Sequence, residues 1–160
     1  MLSYARGVET FTITPIAHVA SPRAEPIDDD WAGVESTITL TPAFTADALR
    51  GLGEFSHIEV VYLFHLVDPD SITSGARCPR GNPEWPEVGI FAQRAKARPN
   101  RLGVSFCELL GSEGTTLRVR GLDAVDGTPV LDIKPCMREL APRGEVVEPA
   151  WAEELMADYF

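Results

Sequence analysis

The segment Ser56-His57-Ile58-Glu59-Val60-Val61-Tyr62-Leu63-Phe64-His65 limits the possible folds more than any other stretch of the chain. Its even positions, Ile58, Val60, Tyr62 and Phe64, are all apolar, and at the two-residue period of a strand they form one continuous buried face. The odd positions, His57, Glu59, Val61, Leu63 and His65, place polar groups at both ends of the other face. A polar group buried without a partner costs on the order of 1–3 kcal/mol, so these ends must meet specific partners. His57 and His65 each fit either a satisfied structural histidine or a functional one. Around this strand the pattern predicts six more: Thr10 to Ala20 (Phe11, Ile13, Ile16), Val34 to Leu40, Val88 to Ala92, Leu102 to Leu110, Thr115 to Gly121, and Val130 to Pro135.

Helical signals are few. Thr45 is a candidate N-cap for Ala46 to Leu52, whose stripe is Leu49, Leu52 and Phe55. Glu148-Pro149 opens a last helix, about 149–160, with Trp151, Leu155 and Tyr159 at four-residue spacing. That stripe can dock on the parent domain or on a second copy. These elements predict a mainly β chain, a compact β-barrel with a few short helices, forming a single domain over residues 1–160. The Gly-rich fingerprint of a Rossmann sheet is absent.

Charge narrows the function classes. The net charge is -10 and the pI is near 4.7, which argues against a broad electrostatic grip on nucleic acid while leaving room for a local basic patch; DNA is not an expected partner. No apolar run has the length of a membrane span and the start lacks a signal-peptide pattern, so the expected location is cytoplasmic, away from membranes. Cys78, Cys107 and Cys136 are odd in number and far apart, and read as reduced thiols. Asp28 to Asp30 reads as a solvated loop, because no further carboxylates follow at metal-ligand spacing; no metal site is expected.

Against this acidic background, Arg94, Lys96, Arg98 and Arg101 crowd around a Pro99-Asn100 turn. The two flanking apolar runs, Val88 to Ala92 and Leu102 to Leu110, read as strands holding a rigid, anion-facing loop. The long Pro- and Gly-rich stretch Asp68 to Glu87 adds Arg77 and Arg80. A third polar cluster follows the Thr115 to Gly121 strand. Asp126-Gly127 is a strong turn signal, which explains Asp126 but not Asp123, Asp132 and Lys134 beside it. A cationic fork beside carboxylates suits a zwitterionic ligand, with an arginine for its carboxylate and aspartates for an ammonium or for ribose hydroxyls.

Several blocks carry a family resemblance. They are Ala48-Leu49-Arg50-Gly51-Leu52 with Phe55-Ser56-His57; Phe64-His65; Val88-Gly89-Ile90-Phe91-Ala92-Gln93-Arg94 with Arg98-Pro99-Asn100 and Leu102-Gly103-Val104-Ser105; and Leu122-Asp123 through Asp126-Gly127-Thr128-Pro129-Val130 to Asp132-Ile133-Lys134-Pro135. In order and spacing the chain resembles the TsaA/TrmO-like (YaeB-like) family of S-adenosylmethionine-dependent methyltransferases. The resemblance implies a non-Rossmann barrel, S-adenosyl-L-methionine as cofactor, and a homodimer with the cofactor near the subunit interface. It implies methyl transfer to a nitrogen of tRNA or of another small adenine- or amine-bearing acceptor. A non-catalytic module that senses or presents the cofactor is the alternative.

Carried over residue by residue, the implied cofactor contacts are His65, Leu66, Arg94, Val104, Ser105, Asp123, Ala124, Val125 and Asp126. Arg98, Asn100, Arg101 and Lys134 are the expected acceptor contacts, as the cationic and polar side chains flanking those positions. His65 and Asp126 are the two candidates for a general base, histidine being a residue type that exchanges protons near neutral pH. Three positions depart from the family pattern: Ala24-Glu25-Pro26-Ile27-Asp28-Asp29-Asp30 replaces a Pro-Arg-Gln-Pro-Gly-like segment, and Ala95 and Cys136 replace Ser and Tyr.

Overall fold

The computed structural model describes residues 10–160. Its strands are β1 (Ala17–Ala20), β2 (Glu35–Leu40), β3 (His57–Leu63), β4 (Ala76–Arg77), β5 (Val88–Gly89), β6 (Leu102–Glu113), β7 (Thr116–Arg120) and β8 (Pro129–Pro135). One α-helix follows, α1 (Ala150–Met156). Six strands close into a barrel in the order β1-β2-β7-β6-β3-β8, and β8 pairs back onto β1 through Ala17↔Val130 and His18↔Pro129. Every barrel pairing is antiparallel.

The two-residue period decides what fills the barrel. Ile58, Val60 and Tyr62 of β3 are buried, and they meet Ile38 of β2, Cys107 of β6, Leu117 and Val119 of β7 and Val130 of β8 in one core. Burial pushes the Cys107 thiol up to about 12, so it behaves as a small apolar side chain. All three cysteines are free. The alternate residues of β3 and β6 face outward in register, as Leu63↔Leu102, Val61↔Val104 and Glu59↔Phe106.

Gly103 pairs with Tyr62 across the β3–β6 ladder, and a Cβ at Gly103 would fall onto the Tyr62 ring. The absent side chain is what lets a large aromatic lie inside a small barrel.

Four expectations change. The first strand begins at Ala17, not Thr10; Phe11 and Ile13 are 75% and 60% exposed, and Pro15 supplies no ladder donor at the strand entry. Ala46 to Leu52 is not a helix but two 3-10 turns, Ala46–Leu49 and Leu52–Glu54. Gly51, at φ 83°, breaks the pattern between them, and Thr45 makes no capping bond.

The apolar run Val88 to Ala92 gives only the two-residue β5 and a 3-10 turn. Its partner is β4 rather than β6, so the cationic loop is not the tip of a hairpin. The buried Gln93 amide enforces this by donating to the carbonyls of Arg77 and Val88, 2.9 Å each. The last helix ends at Met156, and the segment after it docks on its own chain: the Asp30 and Trp31 amides donate to the carbonyls of Asp158 and Tyr159 at 2.9 Å. Among the described residues no helix is long and apolar enough to cross a membrane.

Candidate functional site

Tyr62 is buried among apolar side chains, yet its hydroxyl requires a partner. It donates to Oδ1 of Asp123 at 2.8 Å, where the chain leaves β7. Tyr159 donates to the other carboxylate oxygen, Oδ2, at 2.5 Å. Burial, and then the Asp123 charge, push both phenols well above the ordinary tyrosine range, so both remain donors. The Arg94 charge opposes that rise slightly at both hydroxyls. One of the Arg94 guanidinium nitrogens donates to the Val104 carbonyl at 2.5 Å, which fixes it against β6. Asp123, from the post-β7 segment, thus holds two tyrosines, and Arg94, from the cationic loop, reaches the β6 residue next to the Gly103 that faces Tyr62.

The His65 cluster meets the same segment from the other side. His65 follows the end of β3, with Nδ1 3.5 Å from the Thr128 hydroxyl, and Gly127 lies beside the ring. Gly127 takes a left-handed φ of 75°, as the Asp126-Gly127 turn signal demands. Asp126 holds the turn together, since its Oδ1 accepts from the Ser21 amide at 3.0 Å and its own amide donates to the Arg23 carbonyl at 2.7 Å. Ala124 is buried and Val125 half-buried between the two aspartates. Ser105 is buried, Val104 half-buried and Leu66 exposed.

The remaining cations are spread out. Arg98 donates to the Gln93 carbonyl at 3.1 Å and Arg101 to the Val67 carbonyl at 3.0 Å. Asn100 and Arg101 both take left-handed backbone, φ 63° and 52°. For arginine this costs roughly 1–2 kcal/mol. The bond from the Phe64 amide to the Arg101 carbonyl, 2.8 Å, ties that strained turn to the end of β3. Lys134 does not join the cluster. It pairs with Asp132 and lies beside Glu59, on the face of β3 opposite Tyr62.

Asp28 to Asp30, read from sequence as a solvated loop, turns out to be engaged. Asp29 makes a two-pronged pair with Arg80, 2.6 and 3.0 Å, and Asp28 pairs with Lys96 at 2.8 Å. Tyr62, Tyr159, Gly103 and Arg23 were not among the site residues read from the sequence, where Tyr62 stood only as core and Tyr159 only as part of a helical stripe. Only Tyr62 carried a usable signal there, a phenol on an otherwise apolar core face.

Residues 18–141 match the sequence profile of the tRNA-methyltransferase O N-terminal domain. The chain belongs to this family. A "Probable S-adenosyl-L-methionine-binding protein" of Methanothermobacter thermautotrophicus is 41% identical over 136 residues, which cover 82% of this chain and 94% of that protein. The tRNA (adenine(37)-N6)-methyltransferase of Escherichia coli is 40% identical over 102 residues, 60% of this chain and 42% of that enzyme. A crystal structure of TrmO from Pseudomonas aeruginosa has the same fold, with a TM-score of 0.73 at 31% identity over 88% of this chain and 62% of that one. The family match spans His65, Arg94 and Asp123 to Asp126, whereas Tyr159 lies beyond it. The barrel is therefore that of the tRNA-methyltransferase O N-terminal domain, and the tyrosine on Asp123 Oδ2 is contributed by a segment outside the matched region.

Proposed function

We propose that this protein binds S-adenosylmethionine at the Arg94–Asp123 site and transfers its methyl group to a nitrogen of an adenine- or amine-bearing acceptor. The observation that carries the reading is the Asp123 carboxylate held between Tyr62 and Tyr159, with Arg94 bonded to the carbonyl of Val104, the neighbour of the Gly103 on which the Tyr62 ring packs. The residues present fit a zwitterionic cofactor. Arg94 would hold its carboxylate, and Asp123, fixed by two phenols, would take the ammonium or the ribose hydroxyls. When bound, the cofactor supplies a methyl group on a sulfonium, already strongly electrophilic.

The chain's own residues then do two things. The Gln93 side-chain amide, bonded to the Arg77 and Val88 carbonyls, and the Val104 carbonyl hold Arg94 in place, so binding and orientation come from a fixed loop. His65, against the Asp126–Thr128 turn, takes the proton released from the acceptor nitrogen; Asp126 is already bonded to the Ser21 amide.

Calorimetry with S-adenosylmethionine tests the site. Arg94→Ala should weaken affinity at least about tenfold, near 1.4 kcal/mol for one charge-assisted contact. Unchanged affinity in a folded variant would sink the assignment. A non-catalytic binding module is the second reading, supported by the archaeal relative named for binding alone, of which this chain covers 94%. Transfer of labelled methyl from the cofactor to any acceptor decides between the two.

The working form we propose is a homodimer. A second copy covers the outward apolar stripe of β3 and β6, where Leu63, Leu102, Val61, Val104 and Phe106 lie side by side and Phe106 is 59% exposed.

A further inference from the structure

Asp123 is held by two donors of unequal firmness. Tyr62 is 1% exposed, packs on Gly103, and donates to Oδ1 while also reaching the Asp123 carbonyl at 3.1 Å. Tyr159 is half-buried and donates to Oδ2 from the segment that follows α1. A carboxylate accepts about four hydrogen bonds, so two phenols leave room for the donors of a ligand. On the Tyr62 bond alone the carboxylate could turn; the second phenol fixes its plane.

The Tyr159 segment is lightly tied. Every residue of the connection 137–150 is exposed, and α1 fully buries none of its own. Among the described residues its polar holds are the Trp85 indole on Glu154 Oε2 at 2.8 Å, the Asp30 and Trp31 amides on the carbonyls of Asp158 and Tyr159, and the Tyr159–Asp123 bond. The surface it docks on is firm. Trp31 is 2% exposed, and the Arg23 guanidinium lies 4.5 Å over its ring and donates to the carbonyls of Asp29 and Asp30, 2.6 Å each. Such a segment opens at a cost well below that of global unfolding, so one more bond at Asp123 shifts how often it is docked.

We propose that Tyr159 is a positioning residue of the cofactor site: by fixing Asp123 Oδ2 it presents the carboxylate to the ammonium or ribose hydroxyls of S-adenosylmethionine, so that docking of residues 150–160 and cofactor binding strengthen each other. This rests on the cofactor reading above. The coupling is reciprocal: whatever affinity the docked segment adds, the bound cofactor returns as added protection of the segment. Residues 150–160 lie outside the stretch 18–141 that matches the family profile, so the profile does not describe this contact.

The test is calorimetry with S-adenosylmethionine on the full chain and on Tyr159→Phe, which removes the hydroxyl and keeps the ring against Phe160, 4.9 Å between centroids. Affinity should fall about fivefold or more for the loss of one bond to a charged group. Amide hydrogen exchange gives a second readout, one that a merely structural tyrosine would not move. In the unaltered protein, saturating cofactor should slow exchange over residues 150–160 and at the Trp31 amide by a comparable factor, and Tyr159→Phe should lose most of that slowing. Unchanged affinity in the folded variant overturns the proposal. So does tighter binding, which would make Tyr159 a competitor for Asp123. Exchange over residues 150–160 that ignores saturating cofactor overturns it as well, and this arm decides if Tyr159→Phe does not fold. Failure of the unaltered protein to bind S-adenosylmethionine sinks the cofactor reading and this inference with it, whereas binding that is indifferent to Tyr159 sinks the positioning role alone.

Discussion

Tyr62 and Gly103 face each other across the β3–β6 ladder, and the tyrosine ring occupies the volume a side chain at Gly103 would need. The pairing aims the Tyr62 hydroxyl at Asp123, so core packing and site geometry share one contact. Gly103→Ala must shift the ring or the strand. It should cost about 1–3 kcal/mol by overpacking and lower the melting temperature by roughly 3–10 °C. A melt within 1 °C or so of the unaltered protein's would mean the ring moves freely.

Among the described residues the His65 ring meets one side-chain partner, Thr128, at the outer limit of a hydrogen bond, which leaves its ring available to an acceptor. If it takes the proton, His65→Gln should keep cofactor affinity within a few-fold and slow methyl transfer by about a hundredfold or more. Affinity and rate falling together would make it a cofactor contact only. No change in either would leave it a structural residue of the barrel end.

Alkaline pH should destabilise the fold. Tyr62, Tyr159 and Cys107 all have raised folded-state values, chiefly through burial, against 10.0 for the phenols and 9.0 for the thiol in the unfolded chain. The folded protein therefore holds protons that the unfolded chain releases, and stability is fully present below about pH 9 and falls as pH rises beyond it. Thermal melts between pH 8 and 11 should show this decline, and Tyr62→Phe should flatten its upper part. A flat profile for the unaltered protein would contradict the burial of these groups.

Assembly is checked by light scattering. The chain should be a dimer at tens of micromolar, and Phe106→Glu, on the outward stripe, should shift it to monomer. A monomeric unaltered protein at that concentration would refute the stripe as an interface.

Much of this was legible in the chain itself. Ser56 to His65 announced a core strand because its period is local, and Asp126-Gly127 announced a turn because glycine tolerates left-handed backbone. Val88 to Ala92 misled, since a short apolar run does not reveal its partner; the Gln93 amide, reaching back to Arg77, decides that pairing. Arg94 and Asp123 were each visible as chemistry. The tyrosines bonded to Asp123 were not, because Tyr159 arrives across 36 residues and its spacing reads only as an amphipathic stripe. The Asp28–Lys96 and Asp29–Arg80 pairs join residues 68 and 51 positions apart, beyond any window of local pattern.

The seam between β8 and β1 has a kinetic side. Ala17 and Val130 pair across most of the chain, so closing the ring carries the entropy of a very long loop, and folding should be slow, on the order of milliseconds to seconds. The Ser21–Asp126 bond and the amide of Gly127 on the Val19 carbonyl lie just past that seam, so the turn beneath His65 is set only when the ring shuts. Transient parting of the same seam should loosen the His65 end first, while β3 and β6, zipped over seven consecutive pairs, keep their amide protons longest.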